Sequence, residues 1–261
     1  MQHSAHTEQL AIEPLYMTMM LIGVLLYIAA VLRSNKKLRP WPWHRTVFWC
    51  AGIISIALSL EGPLAVQSHI NFIAHMAGHL LLGMLAPLLI ALAAPMTLVF
   101  RILSIPSARR LTRLLKSRPF FLLSHPVTAA LLNIGGLYVL YTTDFYMAMH
   151  HNLFLEMLVH VHIFLAGYLF TVSIIYIDPI AHRFSFIYRA IVLMLALAAH
   201  GILAKYIYAH PPTGVPREEA EAGGMLMYYG GDAIDLILIT ILCYHWYRTS
   251  RPRMAGAGEI K

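Results

Sequence analysis

The stretch HINFIAHMAGHLLLGMLAPLLIALAAP, from His69 to Pro95, decides the fold class of this protein. Apolar side chains fill most of it, over more than the roughly 20 residues that a helix needs to cross a membrane. His69, His75 and His79 nevertheless lie in its first half. Ionisable side chains are costly in hydrocarbon and mark functional sites in membrane helices. The stretch therefore predicts a membrane helix with a functional cluster of histidines.

The composition indicates an integral membrane protein. Of the 261 residues 59% are hydrophobic and only 12% are charged, whereas soluble domains contain about 25% charged residues. The apolar runs predict a single all-α transmembrane domain over residues 1–261, a bundle of seven helices. They lie near residues 14–32, 46–66, 70–94, 126–143, 152–176, 187–208 and 225–247. We expect an interruption of the second run at Glu61, and a kink or break of the third at Pro87 and Pro95.

The basic residues predict the orientation of the bundle. Lys and Arg concentrate in the connections that lie on cytoplasmic surfaces of membrane proteins. Of the 19 Lys and Arg residues, 17 fall in alternate connections: Arg33, Lys36, Lys37, Arg39, Arg45, Arg101, Arg109, Arg110, Arg113, Lys116, Arg118, Arg183, Arg189, Arg248, Arg251, Arg253 and Lys261. We therefore expect an outer N-terminus and a cytoplasmic C-terminus. The formal net charge of +7 is a topology signal, and we expect no nucleic-acid partner.

With this orientation, the ionisable residues of four predicted helices share the outer half of the membrane. Each is expected to cost about 2.5–3.5 kcal/mol on insertion unless it faces a partner, an ion or water. The residues are His75, His79, Glu156, His160, His162, His200, Asp232 and Asp235. Their shared depth predicts one pocket between the third, fifth and seventh helices, formed by His75, His79, Glu156, His160, Asp232 and Asp235.

The spacing of these residues predicts a metal site. Side chains three or four residues apart lie on one face of a helix, as do His75 with His79, Glu156 with His160, and Asp232 with Asp235. His160 and His162 diverge by about 200°, so only one of them faces a given site. The pattern H-x-x-x-H lets one helix supply two ligands. The interpretation is a site of His75, His79 and His160 with Glu156 or Asp232 as counter-charge, while a ligand role for His162 or His200 stays open.

The donor types leave the choice of metal between copper and zinc. Imidazole binds zinc, copper and iron, and thioether sulfur binds Cu(I). Met76 lies beside the histidine pair, and other methionines lie near the predicted outer surface: Met147, Met149, Met157, Met225 and Met227. Methionine also packs well in apolar surroundings, so these residues favour copper only slightly.

At these residues the sequence resembles the multi-span CtaG family of assembly factors for haem–copper cytochrome oxidases. The resemblance rests on HMAGHLLLGMLAPLLIALAAP at 75–95, HHNLFLEMLVHVHIFLAGYLF at 150–170 and GGMLMYYGGDAIDL at 223–236. It implies seven spans in a bacterial inner membrane and a role in maturing cytochrome c oxidase. The implied partners are oxidase subunits and membrane lipids. A periplasmic chaperone is a further expected partner, as the source of the copper.

The leading hypothesis is therefore a non-enzymatic assembly factor that binds copper and delivers it to the oxidase. A seven-span zinc hydrolase is the alternative, because three histidines and a carboxylate-activated water are a catalytic zinc site. A b-type haem protein with two histidine ligands is another. The remaining interpretation is a scaffold whose polar cluster only holds helices together. The identity of the bound metal would separate these hypotheses.

Overall fold

The computed structural model describes the backbone of residues 2–250 and the side chains of residues 14 and 16–250. Within this range the regular structure is entirely helical. The helices are α1 (Gln2–Asn35), α2 (Trp43–Leu60), α3 (Gly62–Ser68), α4 (Phe72–Leu92), α5 (Pro95–Ile102), α6 (Ile105–Leu115), α7 (Arg118–Leu123), α8 (Pro126–Thr142), α9 (Phe145–His150), α10 (Leu153–Ile174), α11 (Phe186–Ala209) and α12 (Arg217–Ser250).

Six of the seven predicted spans correspond to helices that are long and apolar enough to cross a membrane. These six are α1, α2, α4, α10, α11 and α12. The remaining segment forms α8, which is apolar but has only 17 residues. At 1.5 Å per residue it reaches about 26 Å, less than a hydrocarbon core of about 30 Å. The all-helical membrane fold is confirmed, and the count of seven spans remains a prediction.

The predicted interruption at Glu61 is confirmed. Helix α2 ends at Leu60, and Glu61 has an extended backbone with φ of −140°. Gly62 follows with a φ of +77°, a left-handed conformation that favours glycine. The chain then continues as the short helix α3, so the span ends at Leu60 instead of continuing to residue 66.

Helix α4 is the centre of the bundle. In the most apolar part of α4, 56% of the residues are buried, compared with 11% in the corresponding part of α1. Helices α2, α10 and α12 all pack against it. Its crossing with α10 depends on glycine, because a Cβ atom at Gly167 would overlap the carbonyl oxygen of Gly83.

Two irregularities interrupt α4, both near the prolines expected to disturb it. Residues Leu80–Leu85 form a π-helical segment immediately after His79. Pro87 has no N–H to donate to the carbonyl of Gly83, and π segments occur where the regular ladder is broken. The helix ends before Pro95, since Ala94 has a φ of +53° and Pro95 begins α5. The break at Pro95 is confirmed, while at Pro87 the helix continues.

Polar caps bring the helix starts together at one end of the bundle. The Asn71 side chain accepts hydrogen bonds from Ile73 N and Ala74 N at the start of α4, which satisfies free N–H groups of the first turn. Asn152 caps α10 through Leu155 N. Glu219 of α12 accepts from Phe72 N at 2.7 Å, which ties the starts of α4 and α12. We call the end of the bundle at which α4, α10 and α12 begin the histidine end.

Candidate metal site

Three small cavities follow one another from the histidine end into the bundle. The outer cavity is lined by Ser59, Ser68, His69, Glu156, Met157 and His160 among others. The middle cavity shares Ser59, Ser68 and His160 with it and adds His75, Gly78 and His79. The deep cavity shares only His79 with the middle one, and its polar lining is completed by Asn133, Thr171, His200 and Asp235.

The outer cavity contains a histidine–carboxylate pair. His69 Nε2 lies 3.4 Å from Glu156 Oε1, and both side chains are partly exposed. Burial lowers the pKa of His69. The His69 ring also lies edge-on to that of His150, with centroids 6.0 Å apart. Glu156 and His160, four residues apart on α10, line this cavity together as their spacing predicts.

The middle cavity brings together the three histidines of the predicted ligand set. His75 and His79 come from α4, and His160 comes from α10. Within residues 14 and 16–250, however, no group of three His, Cys, Asp or Glu side chains is close enough to hold a metal ion as the side chains stand. Binding an ion here would require the imidazoles to turn towards the cavity.

Aromatic residues hold His75 in place. Its Nε2 atom lies 3.0 Å from the hydroxyl of Tyr141 on α8, a hydrogen bond between buried groups. The ring also packs edge-on against Tyr146 with centroids 5.0 Å apart, and tilted against His150 at 6.0 Å. His75 therefore has a defined partner and orientation.

His79, one turn further along α4, has no hydrogen-bond partner. It is 5% exposed, and neither Nδ1 nor Nε2 is hydrogen-bonded. His200 of α11 is 4% exposed, and its Nε2 is also unpaired. A buried polar atom without a partner costs about 1–3 kcal/mol, so such atoms require an explanation. The two rings face one cavity, with centroids 6.3 Å apart.

The two aspartates of α12 that were expected to share the pocket lie in different surroundings. Asp235 is 6% exposed and lines the deep cavity with His79 and His200. Asp232 is exposed and lines none of the three cavities. A separation of three residues turns a helix by about 300°, which here leaves one carboxylate inside the bundle and the other outside.

His162 also points away from the cavities. It is exposed, and its Nε2 lies 3.1 Å from the carbonyl oxygen of Leu132. Leu132 belongs to a second π-helical segment, Leu131–Gly135, in which the regular backbone ladder is interrupted. His162 therefore binds to the backbone of α8, while His160 faces the cavities, as their divergence on the helix predicts.

Sequence reasoning missed several residues that shape these cavities. Tyr141, Asn133 and Thr171 carry single polar groups inside apolar runs, and only their neighbours in space reveal a role. His69 was not among the predicted ligands, and it pairs with Glu156. Gly231 lies in the stretch 223–236, and the structure gives it a steric role. A Cβ atom there would lie 2.5 Å from His200 Cε1.

The donor set fits a metal ion of the copper or zinc type. Imidazole nitrogens and a carboxylate are ligands for both, and the unpaired nitrogens of His79 and His200 are free to coordinate. The three cavities have volumes of only about 60, 10 and 30 Å³ from the outside inward. Larger organic ligands need pockets of about 300 Å³ or more. The cavities therefore admit an ion or a few waters, and a porphyrin does not fit between His79 and His200.

Comparison with known proteins identifies a family. A family model described as cytochrome c oxidase caa3 assembly factor (Caa3_CtaG) matches residues 25–249. This range includes all three cavities, apart from Tyr16 at the rim of the outer one.

Three curated relatives are similar in sequence. Uncharacterised proteins of Mycobacterium leprae, Mycobacterium bovis and Mycobacterium tuberculosis are each 31% identical over 181 residues, or 67% of this chain. The match covers 28%, 27% and 27% of those proteins, so the chain spans about a quarter of the length of the curated relatives it matches. No solved structure matches the chain.

Proposed function

This chain belongs to the family of cytochrome c oxidase caa3 assembly factors, and from that premise we propose that it helps to mature a haem–copper cytochrome c oxidase. Its immediate partners are oxidase subunits in the same bilayer. The apolar helices α1, α2, α4, α10, α11 and α12 suit it to act within the membrane, which we take to be a bacterial inner membrane.

The cargo of the protein is copper. One observation carries this proposal: His75, His79 and His160, from two helices, line a single buried cavity. Imidazole is a copper ligand, and the thioether of Met157 in the adjoining outer cavity favours Cu(I). Glu156 in the same outer cavity adds a negative charge that attracts a cation.

The histidine end faces outward in this proposal. Basic connections of membrane proteins stay in the cytoplasm, and most of the Lys and Arg residues lie in or beside the connections at the opposite end, after α1, α4 and α10. Helix α8 is then the seventh span, short but packed against α10 and α11. An outward-facing cavity would accept copper from a periplasmic chaperone.

The test uses the double variant His75→Ala/His79→Ala in a host without its own copy of the protein. We expect the variant to insert and fold, since both changes shorten side chains, while bound copper and oxidase activity fall together. Excess copper in the medium should restore part of the activity by mass action. His210→Ala, at an exposed histidine immediately after α11, is the control and should behave like the wild type.

Two results would contradict the proposal. Full oxidase activity of the double variant at limiting copper would show that the histidines only pack the helices. Purification of the wild-type protein with stoichiometric zinc and no copper would favour zinc chemistry instead. In that case excess copper would not restore the variant.

A further inference from the structure

Among the side chains that the structure describes, His79 is the one that lines both the middle and the deep cavity. On one side its neighbours are His75 and His160, and on the other they are His200 and Asp235. The outer cavity in turn joins the middle one through His160. Polar ligands therefore follow one another from the histidine end to the centre of the bundle.

The deep cavity has the chemistry of a binding site for a soft cation. His79 and His200 are almost completely buried, and three of their ring nitrogens have no hydrogen-bond partner. Two imidazoles that each bind a shared ion at about 2.0 Å have ring centres about 6 Å apart. The observed separation is 6.3 Å. Two neutral imidazoles and few other ligands suit Cu(I), which tolerates low coordination numbers.

Asp235 supplies the charge that such a site needs. Its carboxyl group lies in the same cavity and is buried. A cation in a low-dielectric interior requires a compensating charge nearby. A glycine at position 231, one turn before Asp235, leaves the space that the His200 ring occupies, so the backbone of α12 accommodates the imidazole at the wall of this cavity.

We propose that His79, His200 and Asp235 form a second copper site, deeper in the membrane, which receives Cu(I) from the middle cavity. The inference rests on the proposed copper function and adds a direction of transfer to it. The ion stays bonded to His79 while its bonds to His75 and His160 break and bonds to His200 and Asp235 form. The oxidation state of copper does not change, and no electron is transferred.

This arrangement separates loading from retention. His160 lies on the route into the bundle, so its loss slows the binding of Cu(I). His200 and Asp235 hold the ion at the end of the route, so their loss weakens its retention. His79 serves both steps.

The experiment measures Cu(I) affinity and loading rate of the purified full-length protein in detergent, by competition with a coloured Cu(I) chelator. We expect His200→Asn to weaken the affinity by at least about tenfold, since loss of even a group that only supports a ligand costs about tenfold to a hundredfold, with the initial rate unchanged. His160→Asn should slow loading with an affinity close to that of the wild type. His210→Asn is the matched control, because His210 is an exposed histidine immediately after the helix that contains His200.

Asp235→Asn keeps the size of the side chain and removes its charge, so it tests the site even if His200→Asn does not fold. We expect it also to weaken retention. Wild-type affinity in both folded variants would overturn the deep site and leave the outer copper proposal intact. If His160→Asn loses as much Cu(I) affinity as His200→Asn, the protein has a single copper site, and the proposed deep site is wrong. A wild-type protein that binds no Cu(I) would overturn the copper proposal as a whole.

Discussion

His75 and His79 lie one turn apart on α4, and their surroundings differ sharply. His75 is hydrogen-bonded to Tyr141 at 3.0 Å and packed between aromatic rings. His79 is equally buried, but neither of its nitrogens has a partner. One ring nitrogen of His75, Nε2, is hydrogen-bonded within the protein, whereas both ring nitrogens of His79 are unpaired.

The difference shows how one H-x-x-x-H pair can serve two purposes. The hydrogen bond to Tyr141 orients the His75 ring, and Nε2 must break this bond before it can bind an ion. An unsatisfied imidazole is destabilising in the free protein and gains the most from an ion. We therefore expect His79 to contribute more to copper binding than His75, although the sequence treats them alike.

The largest effect is expected from the single substitutions at this pair. His79→Ala removes a ligand that both cavities share, so we expect a loss of Cu(I) affinity of about a hundredfold. His75→Ala should cost about tenfold or less, the lower end of the range for perturbed metal sites, since His75 lines only the middle cavity and its Nε2 is bonded to Tyr141. Chelator competition on the two purified variants measures the order. The reverse order would show that the hydrogen bond to Tyr141 prepares His75 for the metal.

A smaller effect is expected from Gly231→Ala. The added Cβ atom would lie 2.5 Å from His200 Cε1, so the ring must move, and such overpacking costs about 1–3 kcal/mol. Copper retention should fall with the displaced ring. Gly230→Ala is the matched control, because its Cβ atom would lie 2.5 Å from Leu80 Cδ1. It tests the same crowding without contact to His200. If both variants lose the same amount of copper, the loss is due to general crowding and His200 has no specific role.

The smallest effect is expected from Tyr141→Phe. The substitution removes one buried hydrogen bond to His75, with an expected loss of stability of about 1 kcal/mol. Tyr138→Phe removes a comparable bond to the Ala199 carbonyl at 3.0 Å and is the control. Thermal unfolding in detergent measures both. If Tyr141→Phe strengthens Cu(I) binding and Tyr138→Phe does not, the hydrogen bond from Tyr141 competes with the metal for His75. An unchanged affinity of Tyr141→Phe would show no such competition.

Local patterns predicted the helices well and the site only in part. Apolar length alone gave the long spans, and Glu61 and Pro95 ended helices as their chemistry predicts. The divergence of His160 and His162 followed from helical geometry. The separation of Asp232 and Asp235 did not, because three-residue spacing allows either a common face or an edge between two faces. The neighbours of α12 decide which of the two occurs.

By itself the sequence determined that this chain is a helical membrane protein with imidazoles and carboxylates at one end of its bundle. These properties follow from hydropathy, charge and helical period, which act along the chain. Only the tertiary structure decided that Tyr141 satisfies His75 while His79 and His200 face a shared cavity unpaired. Those relations join helices far apart in sequence, and they depend on close packing at positions such as Gly167 and Gly231. Whether a buried nitrogen is satisfied is a property of its surroundings in space, which no spacing along one helix specifies.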